Sequence, residues 1–361
     1  MDENHIAERQ IRVIIPVYNC KSYLQRTVES VISQPYQAIS VILVDDGSTD
    51  GSAVLCDELA GRDERITVFH QKNSGVSVAR NMGIKHILSI DGSENDYVTF
   101  LDADDAWEAN WISTRISKLL EQKFDLIGMQ ASVCNHLLTR RSEAAYMHER
   151  EYRGGVTSVW IHAKQCMGAM LYRVNLIKRY GIRFYNIKAS EDKIFSMQCL
   201  YLADKIYLVN QLMYLYRQTA TSSVHMRNKG ISYFVPIIDA YIRSDAEMER
   251  WSNDIRGNLH EGRLLAKIYI MDMIEEEMES INGGARKFEK LFEKKPDYQS
   301  IVNTQTNNAL VDQRWIYMQK HKLKFFLKNQ LRGFMSKTAR KIYYFKPVKD
   351  IVDEKRYPIK M

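Results

Sequence analysis

The sequence predicts an α/β fold built on a mostly parallel sheet flanked by helices, and three observations predict it. β-Branched apolar runs alternate with segments of helical periodicity four times up to Leu120. Two of the runs end in acids, Val44-Asp45-Asp46-Gly47-Ser48 and Phe100-Leu101-Asp102-Ala103-Asp104-Asp105, and a further cluster follows at Ser190-Glu191-Asp192. Carboxylates placed just after parallel strands gather at the carboxyl edge of the sheet, where open α/β folds bind ligands. Crowded there, they repel one another unless a divalent cation or a proton relieves them. That need points to metal-assisted chemistry on a phosphorylated substrate.

Each element follows from local pattern. Arg12 to Tyr18 is a buried strand, and Tyr23, Leu24, Val28, Val31 and Ile32 after it recur at helical spacing. Ser40 to Val44 repeats the strand signal. Gly47-Ser48-Thr49-Asp50-Gly51-Ser52 then supplies turn and N-cap chemistry for a helix through Val54, Leu55 and Leu59. The plainer reading of Asp45 and Asp46 is that they cap that helix. Ile66 to Phe69 leads to a helix from Ser77 to Ile84, and Tyr97 to Leu101 leads to a helix from Trp111 to Leu120.

Taken together, Ile14-Ile15-Pro16-Val17-Tyr18-Asn19, Val44 to Ser52, Asn73-Ser74-Gly75 with Ala79-Arg80-Asn81 and Gly83, Asp102-Ala103-Asp104 and Glu191-Asp192 resemble the inverting family-2 glycosyltransferases. The elements stand in that family's order and approximate spacing over about residues 10 to 220, and the combination is specific although a lone DxD is weak. The resemblance implies the GT-A fold, a Rossmann-like sheet, with a catalytic domain over 1–225 divided into nucleotide-sugar binding at about 10–130 and an acceptor part at about 131–225. The helical periodicity predicts a C-terminal helical extension over residues 226–361, beyond the resemblance.

The resemblance also implies roles. Asp46 accepts a hydrogen bond from a uracil imide, which suits a group that can only accept, while Pro16, Val17 and Tyr18 flank the base. Arg80 lies near base and phosphates; as an arginine close to a helix start it is equally read as a solvated surface charge. Asp102 reaches the ribose and also stands as a candidate ligand, with Ala103 between it and Asp104, the principal ligand of Mg2+ or Mn2+. Two carboxylates separated by one residue point the same way from an extended strand end, although Asp105 leaves the register open. The cation assists departure of the nucleotide as a Lewis acid. Asp192 is the base that takes the acceptor proton, and Glu191 positions the acceptor or the helix start. An N-terminal acid pair favoured by the helix dipole explains the same two residues without chemistry. His225, after Tyr216-Arg217 and Ser222-Ser223, is a candidate to complete the metal shell, against the plainer reading of a loop histidine at the surface. Asp312-Gln313-Arg314-Trp315 approaches the QxxRW signature of processive synthases, but Val311 holds the glutamine position and the match fails.

Composition bounds the rest. With 361 residues and 45% hydrophobic content the chain can bury a large core, and only 17 Gly and 6 Pro argue against long linkers. Cys20, Cys56, Cys134, Cys166 and Cys199 are widely spaced, without a CxxC pair, as expected of reduced thiols in a cytoplasmic protein. The first residues show no signal-peptide pattern, and no apolar run approaches bilayer-spanning length. Tyr233 to Glu293 reads as successive amphipathic helices, with Phe234, Ile237, Ile238, Tyr241, Leu264, Leu265, Ile268 and Ile270 on apolar faces, broken at Gly283-Gly284.

Lys320 to Met361 carries thirteen Lys and Arg against three acids, an excess above the +7 of the whole chain, so the remainder is net acidic. Phe325, Phe326, Leu331, Phe334, Ile342 and Tyr343 interleave with those cations. The pattern fits a helix on the anionic inner face of the plasma membrane, or a packed helix with a solvated basic face. No nucleic-acid motif accompanies the charge.

The expected protein is therefore an inverting glycosyltransferase moving one sugar from a UDP-sugar to a glycan or lipid-linked acceptor in surface polysaccharide assembly, with a homodimer through the C-terminal helices as a further expectation. Two other classes place acids or nucleotides in a similar way. A nucleotidyltransferase needs a Gly-rich, basic phosphate loop after its first strand, which Pro16-Val17-Tyr18-Asn19-Cys20 is not. A catalytically silent nucleotide-sugar-binding scaffold has no need of Asp46, Asp102, Asp104 and Asp192 together.

Overall fold

A computed structural model describes residues 9–139, 149–153, 166–218 and 231–251. The chain divides into two compact units, residues 1–226 with 235–259, and residues 227–234 with 260–361. Everything described below residue 219 belongs to the first.

The first half alternates as the sequence predicts: β1 (Ile11–Val17), α1 (Lys21–Ile32), β2 (Ile39–Asp45), α2 (Ser52–Ala60), β3 (Ile66–His70), α3 (Val76–Leu88) and β4 (Tyr97–Phe100). These strands are parallel in the order β3-β2-β1-β4. The runs of β1, β2 and β4 are buried on both faces, with Ile11, Val13, Ile14, Ile15, Val17, Val41, Leu43 and Val44 fully enclosed, each such side chain contributing about 1.5–3 kcal/mol, whereas β3 at the edge buries only Ile66. Because β2 and β4 lie on opposite sides of β1, the loops leaving their carboxyl ends diverge and open a crevice at the switch point.

Pro16 sits in the central strand β1, a position usually closed to proline. The Ile14 carbonyl accepts from Leu101 on the β4 side, and the Val17 carbonyl accepts from Asp46 on the β2 side. By alternation Pro16 faces the β4 side, where pairing ends at Ile14 opposite Phe100. Its missing N–H forfeits no ladder bond.

The second half is mixed. It comprises β5 (Ala106–Trp107), α4 (Thr114–Glu121), β6 (Leu126–Cys134), β7 (Arg150–Arg153), β8 (Met170–Arg173), α5 (Val174–Tyr180), α6 (Glu191–Leu202) and β9 (Lys205–Arg217). Beyond β4 the sheet continues β8-β6-β9-β5, with β7 also on β9; only the β6–β9 pairing there is parallel. α4 begins three residues later than the predicted helix start at Trp111. Asn110 takes a positive φ of 54° and Ser113 is extended, so Trp111 precedes the helix and packs edge-on against Trp107 at 5.0 Å.

α7 (Ile231–Trp251) buries Ile237, Ile238 and Tyr241, the apolar face predicted for it. The remaining C-terminal expectations, from Leu264 to the basic tail, lie outside the described residues. No described helix is long and apolar enough to cross a membrane, and all five cysteines are free thiols.

Candidate active site

β2 carries Asp45 and Asp46 to the sheet edge, where the two buried carboxylates do different things. Asp46 accepts the Gln71 side-chain amide at 2.6 Å and the Ser74 N–H at 2.8 Å on Oδ1, and the Gly75 N–H at 2.8 Å on Oδ2. It pins the 71–75 loop across the strand end, and Gly75 (φ +95°) supplies a conformation that side chains resist.

Asp45 accepts the Ser48 N–H at 3.1 Å and lies 3.2 Å from His70 Nδ1, while His70 Nε2 lies 3.0 Å from Asp57. The Asp57 hydrogen bond first, then that of Asp45, raises the pKa of the imidazole above 6.5. Neither Asp45 nor Asp46 caps α2. Gly51 (φ +90°) stands at the N-cap position, and Asp50 before it accepts the Ser52 N–H at 2.9 Å and its hydroxyl at 2.5 Å.

The loop after β1 is tied to the loop after β2. Asn19 N–H donates to Ser48 Oγ at 3.1 Å, Thr49 N–H to Asn19 Oδ1 at 2.8 Å, and Cys20 N–H to Ser52 Oγ at 2.9 Å. Pro16 and Val17 are buried in β1, and Tyr18 follows with 49% of its surface exposed.

The acidic segment after β4 departs from the extended geometry expected of it. β4 ends at Phe100, and Asp105 N–H donates to the Asp102 carbonyl at 2.9 Å, closing a tight turn. The turn separates the three acids. Asp105 points inward, its Oδ2 accepting the Tyr214 hydroxyl at 2.5 Å and its Oδ1 the Arg217 N–H at 2.7 Å. Burial, then Asp102 and Asp104, lifts its pKa well above the usual carboxylate range.

Asp102 keeps 42% of its side chain exposed. Asp104 is half-buried, and burial followed by the nearby Asp102 charge raises its pKa. Thr27 Oγ1 braces the turn from α1, 2.9 Å from the Ala103 carbonyl and 2.7 Å from that of Asp105, and Arg217 Nε donates to the Asp104 carbonyl. Gly168 leaves room for Tyr214 to reach the turn, since a Cβ there would lie 2.0 Å from the Tyr214 ring.

Arg80 joins this turn to α6. The side chain is only 4% exposed, so it is not the solvated surface charge that its position near a helix start also allowed. Its Nη2 donates to Asp102 Oδ1 at 2.7 Å and its Nη1 to Glu191 Oε1 at 2.9 Å. Burial opposes the cation, but Asp102 and Glu191 outweigh it and raise the pKa. The guanidinium lies 5.3 Å over the Phe184 ring, and Asn81 grips the Phe184 backbone at both N–H (2.9 Å) and C=O (2.8 Å). Glu191 opens α6 after Ser190 (φ +63°), and burial, then the Asp192 charge, raises its pKa. Asp192 is partly exposed, and no described residue hydrogen-bonds its carboxylate.

Among the described residues no three His, Cys, Asp or Glu side chains converge as a metal cage. Asp102 and Asp104 are nonetheless a hard oxygen pair of the kind Mg2+ and Mn2+ take, and their mutual repulsion is what a cation relieves. His225 lies outside the described residues. Sequence reasoning did not find Gln71, Tyr214, Arg217 or Thr27, whose roles rest on contacts from distant segments.

Residues 12–181 match the domain described as Glycosyl transferase family 2. The chain is similar to Glycosyltransferase GlyG of Streptococcus pneumoniae, 31% identical over 224 residues, covering 59% of this chain and 72% of GlyG. It is also similar to Glycosyltransferase GlyA of the same organism, 31% identical over 228 residues, covering 59% of this chain but 31% of GlyA. The chain thus spans less than a third of one relative and nearly three quarters of the other. Its fold is similar to that of S. aureus TarS 1-349 crystallised in complex with UDP-GlcNAc, with a TM-score of 0.60 and 18% identity over 81% of this chain and 79% of that one.

Proposed function

Because the chain belongs to glycosyl transferase family 2, we propose that it moves one sugar from a UDP-sugar to a hydroxyl of a glycan or lipid-linked acceptor, inverting to a β-glycoside in surface polysaccharide assembly. The observation that carries this reading is the convergence of Asp102 and Asp104, after β4, with the Glu191-Asp192 start of α6 through one buried arginine. A UDP donor is supported by the TarS complex, which holds UDP-GlcNAc in a similar fold.

The nucleotide base lies beside Tyr18 and over the β1 end. A carboxylate offers about four acceptor sites, and Asp46 uses three on its own loop. One remains on Oδ2 for the uracil imide N–H. Asp102, whose Oδ1 is held by Arg80, presents Oδ2 to the ribose. A Mn2+ or Mg2+ ion held by Asp104 and Asp102 would supply Lewis-acid neutralisation of the departing diphosphate. Asp192 accepts the proton of the acceptor hydroxyl as its oxygen bonds to the anomeric carbon, on the face opposite the bond that breaks. Its carboxylate makes no hydrogen bond among the described residues and so keeps its oxygens free to accept that proton. The acceptor belongs at an anionic membrane surface, reached through the basic segment 320–361.

The test is nucleotide release and calorimetric binding across UDP-, GDP- and dTDP-sugars, with Mn2+ or with EDTA. Metal-dependent binding and slow hydrolysis of one UDP-sugar is the expected result. Binding of none would return the chain to the scaffold class.

A further inference from the structure

Arg80 connects two carboxylates that the proposed chemistry assigns to opposite sides of the reacting centre. One guanidinium nitrogen reaches Asp102, 22 residues away, and the other reaches Glu191, 111 residues away. The charge is closed off from water, and no third hydrogen bond is made by its buried Nε. Its surroundings hold it in place. Asn81 clamps the Phe184 backbone under the guanidinium, and Phe184 stacks on Phe195 of α6 at 4.2 Å with the rings 4° apart. Gly83 lets α3 lie directly on β1, since a Cβ there would meet Ile14 at 2.8 Å.

A planar fork suits this geometry, because it satisfies two carboxylates in fixed directions at once, which a lysine ammonium cannot reproduce at the same separation. The binding of Oδ1 by Arg80 leaves Asp102 a defined free oxygen. The binding of Glu191 locks the first residue of α6 and leaves the carboxylate of the next, Asp192, without a hydrogen bond among the described residues. Glu191 is therefore occupied inside the protein and not directed at an acceptor.

We propose that Arg80 is a positioning residue that holds the donor carboxylate Asp102 and the α6 start bearing Asp192 in one rigid frame, with Glu191 acting through Arg80. This inference rests on the transferase reading above. Misplacing a reacting group by about 1 Å costs about a hundredfold in rate, so loss of the frame acts on turnover more than on donor binding.

The test uses the full chain with whichever of UDP-glucose, UDP-galactose, UDP-GlcNAc and UDP-GalNAc it hydrolyses fastest. R80K should lower kcat by about a hundredfold while donor KM and the calorimetric affinity for UDP change by less than about threefold. Glu191 supplies the variant that does not depend on replacing a buried cation. E191Q keeps the acceptor oxygen facing Arg80 and should retain most of kcat, whereas E191A should lose it as R80K does. The frame is overturned if R80K keeps its kcat, if its loss lies in KM and UDP affinity, or if E191Q is as inactive as E191A, which would make Glu191 itself chemical. A wild-type chain that hydrolyses none of the four donors would overturn the transferase reading, and the frame with it; hydrolysis by the wild type separates the two failures.

Discussion

Asp46 Oδ2 accepts the backbone N–H of Gly75 at 2.8 Å, joining the end of β2 to the start of α3 across 29 residues. The same carboxylate holds Ser74 and Gln71, so an acid expected to meet the ligand or to cap α2 builds the loop beside it. D46A leaves these donors without a partner at a cost of about 1–3 kcal/mol. Urea unfolding should register that loss and calorimetry a weaker affinity for UDP. D46N, which keeps one acceptor oxygen, should fall between; full stability in D46A would remove the clamp.

Asp192 is proposed as the base, and D192N preserves shape while abolishing proton acceptance. Transfer should fall by about 10²–10⁴-fold with UDP affinity unchanged. Turnover near that of the wild type would sink the assignment.

His70 bridges Asp45 and Asp57, and its pKa is raised above 6.5. A raised basic group stabilises the fold fully below its unfolded value, about 6.5, and that contribution is lost as pH rises through the folded value. Thermal melts from about pH 5 to about pH 9 should show wild-type stability declining across the raised value relative to H70N. Parallel curves for the two proteins would rule out the bridge as the source. Since His70 is 44% exposed, the difference should shrink in high salt.

Gly168 is needed for volume. An alanine Cβ would stand 2.0 Å from the Tyr214 ring and 2.7 Å from the Phe100 carbonyl, so G168A must displace the tyrosine that holds Asp105. Overpacking of this kind costs about 1–3 kcal/mol. The expected result is a lower unfolding midpoint together with weaker nucleotide binding measured in the presence of Mn2+, and G168A melting like the wild type would refute it.

The basic segment 320–361 should bring the chain to anionic vesicles and not to neutral ones, with binding lost at high salt. Sedimentation with phosphatidylserine liposomes, with and without the segment, reads this directly. Equal sedimentation of both forms would count against a membrane role.

Much of the first half was legible in the sequence. Strands β1, β2 and β4 are short apolar runs buried on both faces, β3 is a short edge run, and the helices between them carry periodic apolar positions, so local pattern and tertiary environment agree. The second half was not. Leu126–Cys134 mixes Gly, Gln and Ser into a strand, Met170–Arg173 is four residues long, and Lys205–Arg217 lacks clean alternation. These segments become strands because neighbours on the sheet supply their hydrogen bonds, and no local signal records a neighbour.

Strand pattern and chain direction are local properties, so the amino-acid order alone places acids at the carboxyl edge of a parallel sheet. Which acid does what depends on the folded chain. Asp45 and Asp46, Asp102, Asp104 and Asp105, and Glu191 and Asp192 are near-identical neighbours in a string of letters. What separates them is the partner each meets, His70 or Gly75, Arg80 or Tyr214, a guanidinium or no hydrogen bond among the described residues. Those partners arrive from 22 to 111 residues away, and a carboxylate's hydrogen bonds and burial, unlike its identity, are fixed only when the chain has closed around it.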